Sequence, residues 1–442
     1  MKSVITYGTF DLLHYGHVRL LERAKALGDR LIVGVTSDSY DKERGKLNVH
    51  DSLARRMEAV RATGLADEVI VEEYEGQKIH DIRKYDIDIF AIGSDWVGKF
   101  DYLNEYCDVV YLERTKGVSS TELRKKEHEL LRIGISGTGR IARRFIPEAH
   151  FVSGVEVVGA YNKTLNHAAE FAQEFDLEFA TDNFEDFLAQ VNTVYIASPH
   201  QFHFEQTMMA LEAGKHVLCE KPFAMNEQEV HEAYSLAREK GVALVHGIKT
   251  AYCPAFEHLV LLAKSGRIGS IVDVDASFTK LEKPGVRELK NNGFGGSMLE
   301  LSAYPLLAIV KLLGEEPNRQ ELFSSIKDGV DIFDRGFIEF SEAVGSFKVG
   351  LGAKTEGSLV ITGTKGYIYV PAPWWKTSYF EMRFEDANAT RKYFYSFDGD
   401  GLRYELLELV NLVSKGKTES DVLTEAETAF IVKMQNSLEY ID

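Results

Sequence analysis

Apolar residues in the first 112 positions fall into short runs: Val4 to Tyr7, LIVGV at 31–35, EVIV at 68–71, IDIFAIG at 87–93 and DVVYL at 108–112. Between them lie stretches whose apolar positions recur at helical spacing, 17–27, 52–63 and 77–85. Parallel strands need a crossover helix to return to the same sheet edge, so this alternation predicts a parallel sheet covered on both faces. A charged segment, SSTELRKKEHELL, reads as a helix, and strand, glycine turn and helix begin again at once in RIGISGTGRIARRF, 132–145. The boundary is expected near residue 130. Strand and helix patterns alternate to about Gly247, whereas 270–400 carries the period-two pattern of half-buried antiparallel strands, as in IVDVDASF, RGFIEF, GSFKVGLG and YIYV, closed by a helix at 401–415. The expected architecture is an α/β domain over 1–130, a dinucleotide-binding Rossmann domain over 131–250, and an α+β domain with a mostly antiparallel sheet over 251–442 for substrate binding or oligomerisation.

Charge narrows the partners. The 51 Lys and Arg against 68 Asp and Glu leave a formal charge of −17, which repels polyanions at long range, so neither nucleic acid nor an anionic membrane is expected. Small anions must then be held by local basic clusters. Cys107, Cys219 and Cys253 are far apart and fit neither a paired-thiol metal site nor a disulfide framework, so they are read as reduced thiols of a cytoplasmic protein. The start, MKSVITYGTF, lacks the apolar run of a secretion signal, and no stretch of about 18 apolar residues is there to span a membrane.

The first chemistry-bearing segment is YGTFDLLHYGH, where a strand gives way to a helix and His14 and His17 stand three residues apart. Positions i and i+3 share a helical face, and the N–H groups of a helix start add the partial positive charge that suits a triphosphate. Nucleotidyl transfer needs such an arrangement, because negative charge builds on the α-phosphoryl oxygens and the leaving pyrophosphate while no protein nucleophile is required. The segment resembles the glycerol-3-phosphate cytidylyltransferase family of HxGH nucleotidyltransferases, and the likeness continues through LLERAKALGD, DEVI, GSDWVGKFD and YLERTKGVSST, over essentially all of 1–129.

That resemblance implies a Rossmann-like nucleotidyltransferase domain in which Thr9 and Phe10 line the CTP site and His14 and His17 stabilise the transition state. It further implies Lys46 as the triphosphate-binding lysine, Arg44 and Lys78 as holders of the acceptor's phosphate, and Gly93, Asp95 and Trp96 as the cytosine and ribose contacts. Arg114, Ser119, Ser120 and Thr121, in the second signature, would receive phosphates. Ser94 and Lys116 replace acidic residues of the pattern, and the helix around Arg61 carries one extra residue before Asp67. These departures bear on the acceptor more than on CMP transfer. Mg²⁺ is expected to arrive with CTP, with no protein ligand assigned.

In the second domain GISGTGRIA supplies Gly137 and Gly139 for close approach of a pyrophosphate, with Arg140, Ile141 and Ala142 opening the helix. About 20 residues on, where an NAD site places an acidic residue, the chain reads AYNKT. Asn162 and Lys163 therefore favour NADP(H) over NAD(H), a solvated turn lysine being the other reading. Further along, YIASPHQFHFEQTMMALEAGKHVLCEKPFAMN resembles a long signature of the Gfo/Idh/MocA oxidoreductase family, with the likeness running over roughly 132–442. It implies that Ser198, Pro199, His203 and Glu220 border the cofactor, that Lys221 contacts substrate and nicotinamide, and that Pro222 follows a cis peptide bond.

The family's next element, here GGSMLELSAYPLL, puts Glu300 and Tyr304 on one helical face. Hydride arriving at a carbonyl leaves an alkoxide to be protonated, and a tyrosine lowered in pKa by a neighbouring lysine can do that. Tyr304 is assigned as general acid and Lys221 as polariser, as in the branch resembling dihydrodiol dehydrogenases; a structural tyrosine capped by Pro305 is the alternative. Glu300 stands where aspartate is usual, and Lys249 appears in GIKTAYCPAF, which has lost an arginine often found before the proline. With Lys280, Lys283, Arg287 and Lys290 it makes a basic stretch, read either as solvated surface or as the site of an anionic substrate.

Two activities on one chain keep an intermediate near its next site. The expectation is a bifunctional enzyme, a homo-oligomer, that reduces a (phospho)sugar carbonyl with NAD(P)H and transfers CMP from CTP to an alditol phosphate. The products would be pyrophosphate and a CDP-alditol, for bacterial surface-glycan precursors such as capsular polysaccharide. Reduction of a CDP-sugar as the second step, an oxidative direction, and a transferase with a degenerate nicotinamide-binding regulatory or dimerisation domain are the alternatives.

Overall fold

A computed structural model describes residues 2–11, 13, 15–43, 49, 52–74, 76–113, 130–291 and 293–437. The chain forms two compact units, Met1–Leu130 with Phe151–Gly154, and Leu131–His150 with Val155–Asp442. In the first, β1 (Ser3–Gly8), β2 (Arg30–Thr36), β3 (Glu68–Glu72), β4 (Ile89–Gly93) and β5 (Asp108–Leu112) lie in the order β3-β2-β1-β4-β5. Every pair is parallel. Successive side chains of a strand point to opposite faces, and here both faces are apolar. Val4, Leu31, Val33 and Val35 meet Leu21, Ala24 and Val60 from the helices Tyr15–Lys25 and Leu53–Ala62. Ile5, Tyr7 and Ile32 meet Phe90, Leu103 and, from the helix Gln77–Tyr85, Ile82. The strand order reverses between β1 and β4, so their carboxyl ends open the crevice where sheets of this kind bind ligands.

The second unit repeats the device. β6 (Leu131–Ser136), β7 (Val155–Tyr161), β8 (Phe179–Thr181), β9 (Thr193–Ile196), β10 (His216–Glu220) and β11 (Leu244–Gly247) form a sheet in the order β11-β10-β9-β6-β7-β8. All its pairs are parallel, and the order reverses between β6 and β9. A second sheet contains β12 (Ile271–Thr279), β13 (Arg319–Lys327), β14 (Val330–Glu339), β15 (Val344–Gly350), β16 (Leu359–Gly363), β17 (Gly366–Val370), β18 (Tyr379–Phe384) and β19 (Arg391–Phe394). Its order is β13-β14-β15-β12-β16-β17-β18-β19, antiparallel except for the central β12–β15 pair. The helix Ala303–Leu313 lies against this sheet.

The helix Leu402–Ser414 falls on the expected 401–415. A last helix, Glu425–Ser437, was not assigned from the sequence pattern. It packs between Glu227–Lys240 and Ala303–Leu313 and sends Ala429 and Val432 into the core beside the parallel sheet. A helix buried on two sides shows no single apolar stripe, which is why the periodicity did not betray it. Among the described residues no helix is long and apolar enough to cross a membrane.

Candidate active sites

At the end of β1 the backbone takes an unusual course, with Phe10 at φ +51°, a left-handed conformation uncommon outside glycine. Such backbone persists where its surroundings over-determine it. Thr9 Oγ1 donates to Asp41 Oδ1 at 2.8 Å, and Arg56, fully buried, donates to the carbonyls of Thr9 at 2.7 Å and Thr36 at 2.8 Å and to Asp41 Oδ2 at 3.4 Å. Arg56 also pairs with Asp38. The Phe10 ring then meets the His17 imidazole edge-on, with ring centres 5.5 Å apart. Thr9 and Phe10 are thus both buried, and they fix the turn that leads to His17.

Lys78 is buried, and its ammonium pairs with Glu72, whose other oxygen accepts from Thr36 Oγ1 at 2.9 Å. It also lies 4.8 Å from the centre of the Tyr7 ring, and the Tyr7 hydroxyl donates to Asp81 at 2.9 Å. An acceptor phosphate at Lys78 would compete with Glu72. Gly93 closes β4, and Trp96 follows in the turn Ser94–Trp96, with Lys99 Nζ 4.9 Å from its ring centre. His14, Arg44, Lys46, Arg114, Ser119, Ser120, Thr121 and the Asp95 side chain lie outside the described residues. Arg56 escaped the sequence reading, because LARRMEAVRA gives no sign of which of its arginines is buried.

In the second unit the turn after β6 is set by what it cannot contain. Gly137 has φ +97°, and a Cβ there would lie 2.6 Å from Ala197 O and Ser198 N, so only glycine fits. Gly139 faces open space and caps the helix Arg140–Ala149, whose first N–H groups make the cradle a pyrophosphate requires. Ala142 is buried in the helix's first turn. At the end of β7, Asn162 Nδ2 donates to Thr138 Oγ1 at 2.8 Å, while Asn162 Oδ1 accepts from the Thr164 N–H at 2.9 Å. Lys163 Nζ rests 3.5 Å above the centre of the Phe202 ring.

Beside this turn opens a cleft of about 520 Å³ whose walls include Gly139, Arg140, Ile141, Ser198, His203, Glu220, Lys221, Lys249, Glu300 and Tyr304. Gly137, Asn162, Lys163 and Pro199 are not among its walls. The Lys221–Pro222 peptide is cis. Lys221 Nζ donates to the Glu300 backbone carbonyl at 2.9 Å and to Glu300 Oε2 at 3.2 Å. Glu300 Oε1 stands 3.4 Å from His200 Nε2. Burial, then the charges of Lys221, His203 and Arg287, push the His200 imidazole down to about 2, so it is neutral. His200 sits inside ASPHQFH and was nonetheless passed over in the sequence.

Two of the residues expected at the cofactor also hold the walls of the cleft in place. The ring nitrogens of His203 lie 2.8 Å from Pro222 O and 2.8 Å from Ser198 O, clamping the lysine loop to the end of β9. Burial lowers the His203 pKa although both carbonyls pull the other way. Ser198 Oγ is turned inward to Gln206 Oε1 at 2.7 Å.

The expected lowering of Tyr304 by a lysine is overturned. Burial first, and then Glu220, Glu405, Glu300 and Asp400, raise its phenol above the ordinary value, because the groups around it are carboxylates. It therefore keeps its proton, the state a general acid needs. Phe278 meets the Tyr304 ring edge-on at 5.1 Å and stacks on Trp375 at 3.7 Å, giving the cleft an aromatic wall. Glu220 is buried, accepts from the Tyr195 hydroxyl at 2.7 Å, and is raised by burial. Of the basic stretch, Lys249, Lys280 and Arg287 line the cleft whereas Lys283 and Lys290 do not. Acids interleave it: Lys280 pairs with Glu282, and Arg140 with Glu288 at 3.1 Å.

Fold and sites together define a class: a nucleotidyltransferase unit and a dinucleotide-binding oxidoreductase unit on one chain. Residues 5–126 match the family described as cytidylyltransferase-like, and residues 131–248 match the Gfo/Idh/MocA oxidoreductase family, NAD-binding Rossmann fold. Over 125 residues the chain is 55% identical to glycerol-3-phosphate cytidylyltransferase of Bacillus spizizenii, covering 28% of this chain and 96% of that protein. Over 320 residues it is 30% identical to trans-1,2-dihydrobenzene-1,2-diol dehydrogenase of Mus musculus, covering 69% of this chain and 94% of that protein. KijD10, a 3-ketoreductase from Actinomadura kijaniata solved with NADP and TDP-benzene, shares the fold at a TM-score of 0.62 and 21% identity, over 71% of this chain and 99% of that one. The chain belongs to the cytidylyltransferase-like family through its first unit and to the Gfo/Idh/MocA oxidoreductase family through its second. It is a nucleotidyltransferase fused to an oxidoreductase.

Proposed function

We propose that the second unit reduces the carbonyl of a sugar phosphate and that the first transfers CMP from CTP to the resulting alditol phosphate, releasing a CDP-alditol and pyrophosphate. The observation that carries the reading is the cleft in which Lys221, Glu300 and a proton-bearing Tyr304 meet, on the same chain as a unit 55% identical to a glycerol-3-phosphate cytidylyltransferase. The bound nicotinamide supplies the hydride. The Gly137 turn and the start of the helix Arg140–Ala149 suit its pyrophosphate, and Asn162 with Lys163, in place of an acidic residue, favours NADPH. Lys221 polarises the carbonyl, and Tyr304 gives the proton that the alkoxide takes.

Mg²⁺ enters with CTP, and His17, fixed against Phe10, faces the charge that builds on the phosphoryl group. A homo-oligomer supplying precursors of a bacterial surface glycan fits this chemistry. Mass spectrometry of a reaction containing CTP, NADPH, Mg²⁺ and mixed triose, tetrose and pentose phosphates tests it. The expected products are a CDP-alditol and pyrophosphate, and NADPH left unconsumed with every carbonyl would overturn the reductase half.

A further inference from the structure

Beneath the cleft lies an acid that the reaction above leaves unused. Glu405 sits in the first turn of the helix Leu402–Ser414, is 0% exposed, and lines the same cleft as Tyr304 and Lys221. Among the described residues neither of its carboxyl oxygens has a hydrogen-bond partner. Burying an ionised carboxylate in that condition costs several kcal/mol, so a side chain retained there without a bond to hold the fold is suited to carrying a proton.

Its charged neighbours are Glu220, Lys249 and Glu148, and each of them is already engaged. Glu220 accepts from Tyr195, Glu148 is gripped by Arg403 Nε and Nη2 at 3.0 Å each, and Lys249 donates to the Asp400 carbonyl. Burial and then Glu220 hold the Glu405 carboxyl well above its ordinary value, against the pull of Lys249, which favours the protonated, neutral form. Glu220 and Glu405 are also the strongest charged influences on the Tyr304 phenol. A tyrosinate left in that company cannot persist, and each reduction would create one.

We propose that Glu405 is the proton reserve of Tyr304, refilling the phenol after it has protonated the product. The idea rests on the reductase reading above. The phenol O–H breaks as the alkoxide gains its hydrogen; water in the shared cleft then gives a proton to the tyrosinate and takes one from Glu405, so that the Glu405 O–H breaks as the phenol re-forms. The carboxylate left behind is balanced by Lys249 until product departs and water returns the proton. Glu405 in this scheme is a positioning residue for a proton and touches no reacting carbon.

E405Q keeps the shape and removes the acid proton. With NADPH and a panel of triose, tetrose and pentose phosphates, stopped-flow absorbance should show a first turnover near the wild-type rate, followed by a steady state about 100-fold slower, the size of a lost acid–base step. Infrared spectroscopy of the resting protein should show a protonated-carboxyl band at neutral pH that E405Q lacks, a readout needing no turnover. A missing band, an unchanged steady state, or two phases slowed alike would overturn the reserve. Wild-type protein that consumes no NADPH would take down the reductase reading and the reserve with it, whereas wild-type turnover with an unaffected E405Q would remove the reserve alone.

Discussion

Both units open with strand, glycine and helix at the reversal point of a parallel sheet, yet the two turns are held by opposite means. The turn after β1 is held by added side chains: Asp41 and Arg56, 32 and 47 residues from Thr9, bond its hydroxyl and its carbonyl. The turn after β6 is held by a missing one, since Gly137 has no space for a Cβ. A steric requirement is written in one letter. A polar network is spread over residues that each look ordinary, so two sites with similar outlines differ in how much of them can be read before folding.

The largest effects should come from exchanging the chemistry. His17→Ala should lower pyrophosphate release by about 10³-fold, the scale of losing one group that stabilises transition-state charge, while NADPH oxidation stays unchanged. Lys221→Ala should do the reverse. Either variant stopping both reactions with its fold intact would end the separation of the sites. Next in size is Arg56→Met, which leaves Asp41 and the Thr9 and Thr36 carbonyls unpartnered by it at about 3–5 kcal/mol for a broken buried ion pair. The temperature at which CMP transfer is half lost should drop by roughly 10 °C or more, with that for NADPH oxidation unmoved. An equal fall in both would contradict two independently held turns.

Gly137→Ala follows. Its added carbon would lie 2.6 Å from backbone atoms at φ +97°, and strain of about 1–3 kcal/mol predicts a 10- to 100-fold weaker NADPH dissociation constant by fluorescence titration. Gly8→Ala is the matched control. There the carbon meets the Phe10 ring at 3.1 Å, a side chain with some freedom to give, so CTP affinity should fall less. A larger loss at Gly8 than at Gly137 would invert the comparison.

What was legible follows the same division. The parallel and antiparallel sheets and the glycine turns depend on neighbours close in sequence, and the periodicity and spacing carried them, whereas the Glu300–Tyr304 pair came from the family resemblance. The sign of the Tyr304 shift was misread, because Glu220, Glu405 and Asp400 reach it from three distant segments. His200 stood within a quoted motif and went unassigned, since nothing in ASPHQFH says that Glu300 will stand 3.4 Å away. Arg56 and Glu405 were invisible for a common reason: a charged letter on an amphipathic helix reads as solvent-facing, and both are wholly buried.

The last prediction is the smallest and concerns how each unit treats buried acid. In the first, Asp41 and Glu72 meet the cations Arg56 and Lys78. In the second, Asp334 is fully buried on β14, accepts from Ser324 on one oxygen, and has the carboxyl of Asp331 as its charged neighbour. Burial and the neighbouring Asp331 raise its carboxyl to about 8. The folded protein then keeps a proton that the unfolded chain, with an aspartate pKa of about 3.9, has already lost. Stability from this group is therefore complete below about pH 4 and declines as pH rises towards 8, by up to about 1.4 kcal/mol per pH unit. Asp334→Asn removes one titrating proton, so denaturant unfolding of the second unit at pH 5, 6.5 and 8 should show a shallower decline. Glu220, Glu257, Asp273 and Glu405 are raised by burial as well, so the slope should shrink by one group's share without vanishing. A slope identical to the wild type would mean that Asp334 is ionised where it lies, and that the second unit, like the first, has found a cation for its buried acid.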